Sequence, residues 1–261
     1  MTERRERNIA LRLRYDGSAY HGWQFQQNAL SLQEVLETAL RRLTGEELPR
    51  GVFGCSRTDA GVHARTYVAN FQSRCTIPAD RFPAALRPFL PPDLSLVAAL
   101  DVPEDFHARF SCVGKEYVYR IYGGKAPDPF LYHRAHYYPY PLDIEKMDTA
   151  ARLICGKRDF KVFMATGSIV KDTCRNVWDC RVEERDGVAE ITISADGFLY
   201  NMVRIIAGTL VAVSDGKIVV DEIPELIERG DRTKAGVTLP PHGLYLNRIW
   251  YASGEASEWI R

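Results

Sequence analysis

The 261-residue sequence lacks long apolar runs, and none approaches the roughly 18 residues that a membrane-spanning helix needs. Its first eight residues mix charges of both signs and contain no apolar stretch of the kind that a secretion signal requires. Its six cysteines form no Cys-x-x-Cys pair and no regular spacing, which favours reduced thiols over a disulfide framework. These absences predict a cytoplasmic protein with no membrane partner.

The net charge of the sequence is zero, because it has 34 basic and 34 acidic residues. A neutral chain is by itself an unfavourable nucleic-acid binder, since neutralisation of phosphates dominates that affinity. Lysine is scarce, however, and 26 of the basic residues are arginine, whose planar fork suits phosphate and base contacts. Seven basic and three acidic residues lie between Arg152 and Arg181. This run fits both an ordinary solvated face and a local basic face for nucleic acid.

Clusters of metal ligands are absent from the sequence as well. His133 and His136 lie three residues apart and would share one face of a helix, but no cysteine or carboxylate accompanies them at ligand spacing. We therefore expect no metal site.

Hydrophobic periodicity indicates strands and helices in two halves of similar order. Ser31 and Asp143 are expected to cap helices, the second ending at Gly156, and Asp186-Gly187 is expected to close a hairpin. Strands are predicted near residues 9–15, 52–53, 66–71, 94–100, 115–122, 173–182, 188–194 and 243–251, and further helices over 199–213 and around Pro224. The pattern predicts an α+β fold, antiparallel sheet with helices on one face, in two related subdomains, 1–105 and 106–261.

The segment from Gly54 to Ala64 places the carboxylate of Asp59 between glycines and two residues after Arg57. Glycine permits positive φ and close approach of a ligand to the main chain, and side chains two residues apart on an extended segment share a face. Two interpretations fit these residues alone. One is a reaction centre, and the other is a surface turn with an incidental ion pair.

Arg204 lies in the almost wholly apolar stretch from Phe198 to Gly208. A guanidinium buried there needs an anionic partner, whereas an arginine near a helix end more commonly extends to solvent. If the partner is Asp59, the pair would hold that carboxylate ionised and oriented, as a nucleophile requires.

Tyr117, on an aromatic-rich strand, and Leu244, near the start of the last strand, both fit ordinary core positions. They also fit opposite walls of a pocket for a planar base, because stacking a base on an aromatic side chain contributes roughly 1 to 3 kcal/mol.

Six short stretches follow one another along the chain: Tyr15 to Gln24, Arg57 to Ala64, Phe106 to Ser111, Lys115 to Tyr117, Asn201 to Arg204 and Gly243 to Leu246. In this order they resemble the motifs of the TruA family of tRNA pseudouridine synthases. Six ordered motifs that span residues 15 to 246 are far more specific than any one of them.

The resemblance implies an isomerase that converts uridine to pseudouridine in the anticodon stem-loop of tRNA, at about positions 38 to 40. It implies a homodimer without cofactor, in which the two subdomains form a continuous sheet with a central RNA-binding cleft. Asp59 would be the catalytic carboxylate, with Arg204 as its salt-bridge partner. Tyr117 would stack on the target base as a catalytic and substrate-binding residue, and Leu244 would pack on the other side. Arg57, which would help to flip the uridine out, and Arg109 would also bind substrate.

The residue types agree with this chemistry, in which an extruded uracil detaches from C1′, rotates and rejoins through C5. Asp59 is able to add to C6, to attack C1′ or to remove a ribose proton to give a glycal, and the residues do not separate these routes. Tyr117 is also a candidate for a general base late in the cycle. Ser56 stands where bacterial members usually have glycine, a departure that bears on the local geometry of the turn.

Two other classes of function use some of the same residues. A non-catalytic RNA-binding protein would use the basic and aromatic faces alone, although it gains nothing from an acidic residue facing phosphates. A hydrolase would use Ser56 or Cys55 with His63 and Asp59, although the strand-Gly-x-Ser-x-Gly-helix context is missing.

Overall fold

The last strand of the chain returns to the unit that contains the first. In the computed structural model, which describes residues 6–168 and 170–252, unit 1 comprises residues 6–113 and 246–252 and unit 2 comprises residues 114–245. The sequence predicts one boundary near residue 105. The two units divide instead at 113/114 and again at 245/246, because the C-terminal strand belongs mainly to unit 1.

Unit 1 is built around strand β1. β1 (Arg7–Tyr15) is antiparallel to β3 (His63–Ser73) on one side and to β4 (Leu94–Val102) on the other. β2 (Phe53–Gly54) pairs with β3, and residues 246–251 of β10 (Leu244–Tyr251) also lie beside β3. The helices of this unit are α1 (Leu32–Thr44) and α2 (Phe82–Leu86).

The alternating pattern of β1 predicts one core face and one basic face, and the structure confirms this only toward its C-terminal end. Arg14 is exposed and Arg12 is half-buried, but Asn8 and Ala10 on the same face are buried. The reason is that Asn8 Nδ2 donates to the carbonyl of Phe106 at 2.8 Å, so the loop before β5 covers this part of the face.

Unit 2 holds the strands β5 (Cys112–Tyr122, from residue 114), β6 (His136–Tyr137), β7 (Gly156–Asp159), β8 (Cys174–Arg185) and β9 (Val188–Ala195). β5, β9, β8 and β7 lie side by side in that order and are antiparallel, whereas β6 pairs with β5 in parallel. The helices are α3 (Ile144–Arg152), α4 (Met202–Ser214) and α5 (Ile223–Arg229). Strands and helices in both units confirm the predicted α+β class.

Two predicted helix bounds are wrong for local reasons. α3 ends at Arg152 rather than at Gly156, because the amides of Leu153 and Ile154 bond three residues back and tighten the last turn. α4 begins at Met202 rather than at residue 199, because Asn201 has a left-handed backbone with φ 59°. Across the described ranges 6–168 and 170–252, no helix is both long and apolar enough to cross a membrane.

Candidate active site

Asp59 lies half-buried on the Asp59 turn, which we define as residues 55–62 between β2 and β3. The amide of Val62 donates to the Asp59 carbonyl at 3.2 Å and closes the turn. The amide of Trp23 donates to the Thr58 carbonyl, and the amide of Gly61 donates to the Tyr20 carbonyl, both at 3.2 Å. Main-chain bonds to the 20–23 segment therefore hold the backbone on both sides of the carboxylate.

Two glycines allow this close contact between main chains. A Cβ on Gly22, whose φ is +87°, would lie 2.3 Å from the carbonyl oxygen of Thr58. A Cβ on Gly17 would lie 2.0 Å from the carbonyl oxygen of Val62. Real Cβ atoms do not approach backbone oxygens so closely, so the glycines of the first predicted motif serve to position the Asp59 turn.

Aromatic side chains support the same turn from β1 and β3. The Tyr67 hydroxyl donates to the Ser56 carbonyl at 2.5 Å, and its ring stacks on Trp23 with centroids 4.2 Å apart. The hydroxyls of Tyr15 and Thr58 are 3.0 Å apart and share a hydrogen bond. The turn thus combines irregular backbone with fixed geometry, which an aligned reacting group needs.

Two of the residues that a hydrolase would use, Cys55 and His63, are packed inside unit 1. Cys55 and His63 are buried, with 0% and 1% exposure. His63 Nδ1 lies 3.1 Å from both the Gly17 amide and Asp16 Oδ1. We assign Nδ1 as an acceptor, because an amide nitrogen always carries its proton and donates it. Ser56, the other candidate nucleophile, is half-buried, but the base His63 that either nucleophile would need is sealed from substrate.

Arg57 and Arg109, the two arginines predicted to bind substrate, line one cavity of about 200 Å³ in unit 1. Both side chains are exposed, and Phe53, His107 and Phe110 line the same cavity. Its described lining residues include no aspartate or glutamate, so the cavity is electropositive. The sequence pattern predicts the two arginines but not the three rings, although His107 and Phe110 flank Arg109 in the Phe106 to Ser111 motif.

Arg204, on α4 of unit 2, is half-buried, which lies between the two expectations of a buried guanidinium and one that extends to solvent. Its Nε donates to the Leu239 carbonyl and its Nη1 to Asn201 Oδ1, both at 2.7 Å. The amide of Leu239 in turn donates to the Arg204 carbonyl at 3.3 Å. These contacts fix the side chain to the 236–239 segment. The predicted salt bridge joins Asp59 of unit 1 to Arg204 of unit 2 and stays a prediction.

Tyr117 and Leu244 belong to unit 2, and each is only 7% exposed. Tyr117, on β5, presents its ring edge-on to Phe198 with centroids 5.0 Å apart. Leu244 begins β10 directly after Gly243, where a Cβ would lie 2.8 Å from the Tyr119 ring. Their contact with a base stays a prediction.

Tyr119, whose ring lies close to Gly243, is not able to act as a base. Its hydroxyl donates to the Pro240 carbonyl at 2.7 Å. Burial raises the pKa of Tyr119 far above its ordinary value, with a small opposing effect from Arg204. Tyr119 is therefore a protonated structural donor.

The described parts of the chain, 6–168 and 170–252, contain no group of three or more histidine, cysteine, aspartate or glutamate residues that could hold a metal ion. His133 and His136 do not share a helix face, because His133 is in a left-handed turn with φ 57° and His136 begins β6. Both rings instead approach His242, with centroid distances of 5.8 and 6.1 Å.

Comparison with known proteins agrees with the predicted family. A family model described as tRNA pseudouridine synthase matches residues 13–111 and 150–252. A protein of Thermoanaerobacter sp. (strain X514) named tRNA pseudouridine synthase A is 47% identical over 94% of this chain and 100% of its own length. A protein of Acetivibrio thermocellus named tRNA pseudouridine synthase A is 46% identical, and a protein of Clostridium perfringens named tRNA pseudouridine synthase A 2 is 43% identical. Both matches cover 94% of this chain and 100% of the relative.

Proposed function

Because the chain belongs to the tRNA pseudouridine synthase family, we propose that its substrate uridines lie at about positions 38, 39 and 40 of the tRNA anticodon stem-loop and that Asp59 is the catalytic carboxylate. Family membership makes the protein an isomerase that acts on uridine in tRNA. It also removes the hydrolase and the non-catalytic RNA-binding protein as alternatives. The proposal concerns the site of modification and the residues that carry it out.

The observation that carries the proposal is the setting of Asp59. Its carboxylate is half-buried on a turn fixed by main-chain bonds, and Arg57 of the same turn lines an electropositive cavity. A nucleophile or base must be both reachable and held in place, and this turn combines the two properties.

Asp59 acts as an ionised carboxylate in each of the three routes open to it. In each route the bond between N1 of the uracil and C1′ breaks: after Asp59 has added to C6, as Asp59 displaces the uracil at C1′, or as Asp59 removes a ribose proton. The base then rotates and C5 bonds to C1′, while Asp59 leaves C6 or C1′ or returns the proton to the ribose. The proton that C5 loses balances the one that N1 gains. Arg204, as the proposed salt-bridge partner, would orient the carboxylate toward the base.

The uridine must leave its stack before it reaches Asp59. Arg57, exposed on the Asp59 turn, is suited to take the place of the extruded base and to contact the phosphates. Tyr117 and Leu244 would then hold the base from opposite sides, and Arg109 would bind the neighbouring backbone.

We also propose that the protein works in the cytoplasm as a homodimer, as the family resemblance implies. Sedimentation analysis of the purified chain at micromolar concentration should give the mass of two copies. A mass of one copy would contradict the dimer without affecting the assignment of Asp59.

The proposed function is tested by incubating the purified protein with unmodified tRNA transcripts. The transcripts carry a single uridine in the anticodon stem-loop, at position 38, 39 or 40, and keep the uridines of the other arms. Carbodiimide derivatisation followed by primer extension should place new pseudouridine only at the stem-loop position. Pseudouridine confined to another arm would overturn the proposed positions, and its complete absence would overturn the function.

A further inference from the structure

Three aromatic rings form a continuous ladder at the cavity of unit 1. The Phe53 and His107 centroids are 4.7 Å apart with an interplanar angle of 38°, and the His107 and Phe110 centroids are 4.4 Å apart at 43°. Phe110, the outermost ring, is 75% exposed. Both contacts are tilted, and the exposed face of Phe110 at the end of the row offers a place for one more ring to stack.

Hydrogen bonds hold the loop that carries His107 and Phe110 in place. The Ala108 amide donates to the buried Asn70 Oδ1 at 2.8 Å, and the Tyr251 hydroxyl donates to the Ala108 carbonyl at 2.8 Å. The His107 carbonyl accepts from the Ser111 amide at 2.9 Å. A platform held in this way loses little conformational entropy when a ligand binds.

The charges around the ladder favour a polyanion. The guanidinium of Arg109 lies 5.6 Å from the centre of the Phe110 ring, near the outer limit of a cation-π contact, so it is able to turn toward a phosphate at small cost. Arg57 lines the same cavity, and the described lining residues include no acidic side chain.

His107 keeps the middle of the ladder uncharged. Its Nδ1 accepts from the Arg109 amide at 3.1 Å, which leaves Nε2 as the protonated nitrogen of the neutral ring. Burial, and to a smaller extent Arg109, lowers the pKa of His107. The ladder therefore presents neutral π-faces flanked by two cations, the combination with which proteins bind single-stranded nucleic acid.

We propose that Phe110 stacks on an unpaired nucleobase of the RNA other than the uridine that is isomerised, with Arg109 on the adjoining phosphate. This inference rests on the proposed function, because it takes tRNA as the ligand. Arg57, which lines the cavity, is two residues from Asp59, so their Cα atoms are within about 7 Å. The proposed stacking place and the Asp59 turn thus share the cavity that Arg57 lines.

The test is a mutant cycle between the protein and the RNA. An anticodon stem-loop hairpin is prepared with each loop nucleotide made abasic in turn, and binding is measured in an Asp59→Asn background to prevent turnover. We expect Phe110→Ala to weaken binding of the intact hairpin by about 5-fold to 150-fold, the affinity equivalent of one base stacked on an aromatic ring. At one abasic position the same substitution should cost nothing further, because the partner base is already missing.

Further variants separate stacking from bulk. Phe110→Trp should restore binding, whereas Phe110→Leu, which is apolar but has no π-face, should not. Phe130 is a matched control, since it is 88% exposed and belongs to unit 2. Phe130→Ala should leave binding of every hairpin unchanged.

Several results would overturn the inference. One is that Phe110→Ala binds the intact hairpin as tightly as the parent protein. Another is that Phe110→Ala loses the same affinity with every abasic hairpin as with the intact one. A third is that the sedimentation mass of Phe110→Ala differs from that of the parent protein, which would make Phe110 a contact to a second copy. Wild-type turnover is measured in parallel. If Phe110→Ala and one abasic position prove non-additive in binding but the wild-type protein forms no pseudouridine, only the proposed function is refuted. If the wild-type protein forms pseudouridine but no abasic position is non-additive with Phe110→Ala, only the stacking platform is refuted.

Discussion

The two units position their predicted catalytic groups by opposite means. In unit 1, Asp59 lies on irregular backbone held by main-chain bonds and by the close approach of Gly22 to Thr58. In unit 2, Arg204 lies on helix α4, and its side chain is fixed by the acceptors of Leu239 and Asn201. Main-chain hydrogen bonds position the turn that carries Asp59, whereas hydrogen bonds from its own side chain position Arg204. Substitutions in the two units should therefore fail in different ways.

After loss of the Asp59 carboxylate itself, the largest effect is expected from Arg204→Ala. Loss of the guanidinium would remove the proposed partner of Asp59, and removing one member of a buried charge pair typically costs about 3 to 5 kcal/mol. We expect kcat/KM for tRNA to fall by roughly 100-fold or more, measured under single-turnover conditions.

Arg232→Ala is the matched control for Arg204. Arg232 also braces the 236–239 segment, donating to the Gly236 carbonyl at 2.9 Å and to Thr238 Oγ1 at 3.2 Å. Its loss should lower stability with little change in kcat. Equal losses of activity in the two variants would mean that Arg204 is only a brace.

A pair of glycine substitutions compares the turn with the helix. Gly22→Ala would press a methyl group on the Thr58 carbonyl, displace Asp59 and lower kcat by about tenfold to 100-fold, since displacements near 1 Å cost that much. Gly208→Ala would place a Cβ 1.9 Å from the Val237 carbonyl and lower the free energy of unfolding by about 1 to 3 kcal/mol. Urea titration and initial rates on both variants check this. The comparison fails if Gly22→Ala affects only stability.

Asn70 tests how far the stacking loop depends on one buried side chain. It is 3% exposed, accepts from the Ala108 amide and donates to Asn8 Oδ1 at 2.9 Å. Asn70→Ala should lower the free energy of unfolding by about 1 to 3 kcal/mol, because it leaves buried groups unpaired. Gln72 lies on the same strand, and among the contacts described its side chain bonds only to the exposed side chain of Arg50. Gln72→Ala should therefore change the free energy of unfolding by no more than about 0.5 kcal/mol. Similar urea midpoints for the two variants would refute this role of Asn70.

The smallest effect concerns acid stability. Burial lowers the pKa of His107 in unit 1 and of His136 in unit 2 below the ordinary value of 6.5. Each histidine therefore binds a proton more readily in the unfolded chain than in the folded one. The free energy of unfolding is highest above pH 6.5 and falls as the pH drops through the pKa of each histidine in the folded protein. We expect the urea midpoint to fall between pH 7 and pH 5.

His107→Gln and His136→Gln should each reduce this fall in midpoint. Asp143, Asp215 and Asp231 do not interfere, because hydrogen bonds lower their pKa values below 3.8 and they titrate at lower pH. An unchanged pH dependence in both variants would show that the histidines are not the cause.

The features that sequence predicts well depend on neighbouring residues. Ser31 caps α1 as predicted, and Asp186-Gly187 closes the predicted β8–β9 hairpin with two positive φ angles. These outcomes follow from local capping and turn chemistry.

The features that sequence analysis missed depend on residues far apart in the chain. Helix α2 is absent from the predicted elements and is only five residues long, with Pro83 in its first turn, where the absent amide costs nothing. The ladder joins Phe53 to His107 across more than fifty residues, so no local pattern reveals it. The motif around Arg109 was a usable signal, because it places rings on both sides of that arginine.

The central claim is that the carboxylate of Asp59 carries out the isomerisation, and one comparison tests it directly. Asp59→Asn and the matched exposed variant Asp80→Asn are assayed with the same unmodified tRNA for pseudouridine formation and for binding. We expect Asp59→Asn to form no detectable pseudouridine while binding tRNA nearly as tightly as the parent protein, because phosphate contacts dominate affinity, and Asp80→Asn to be fully active. Retained turnover by Asp59→Asn would contradict the account.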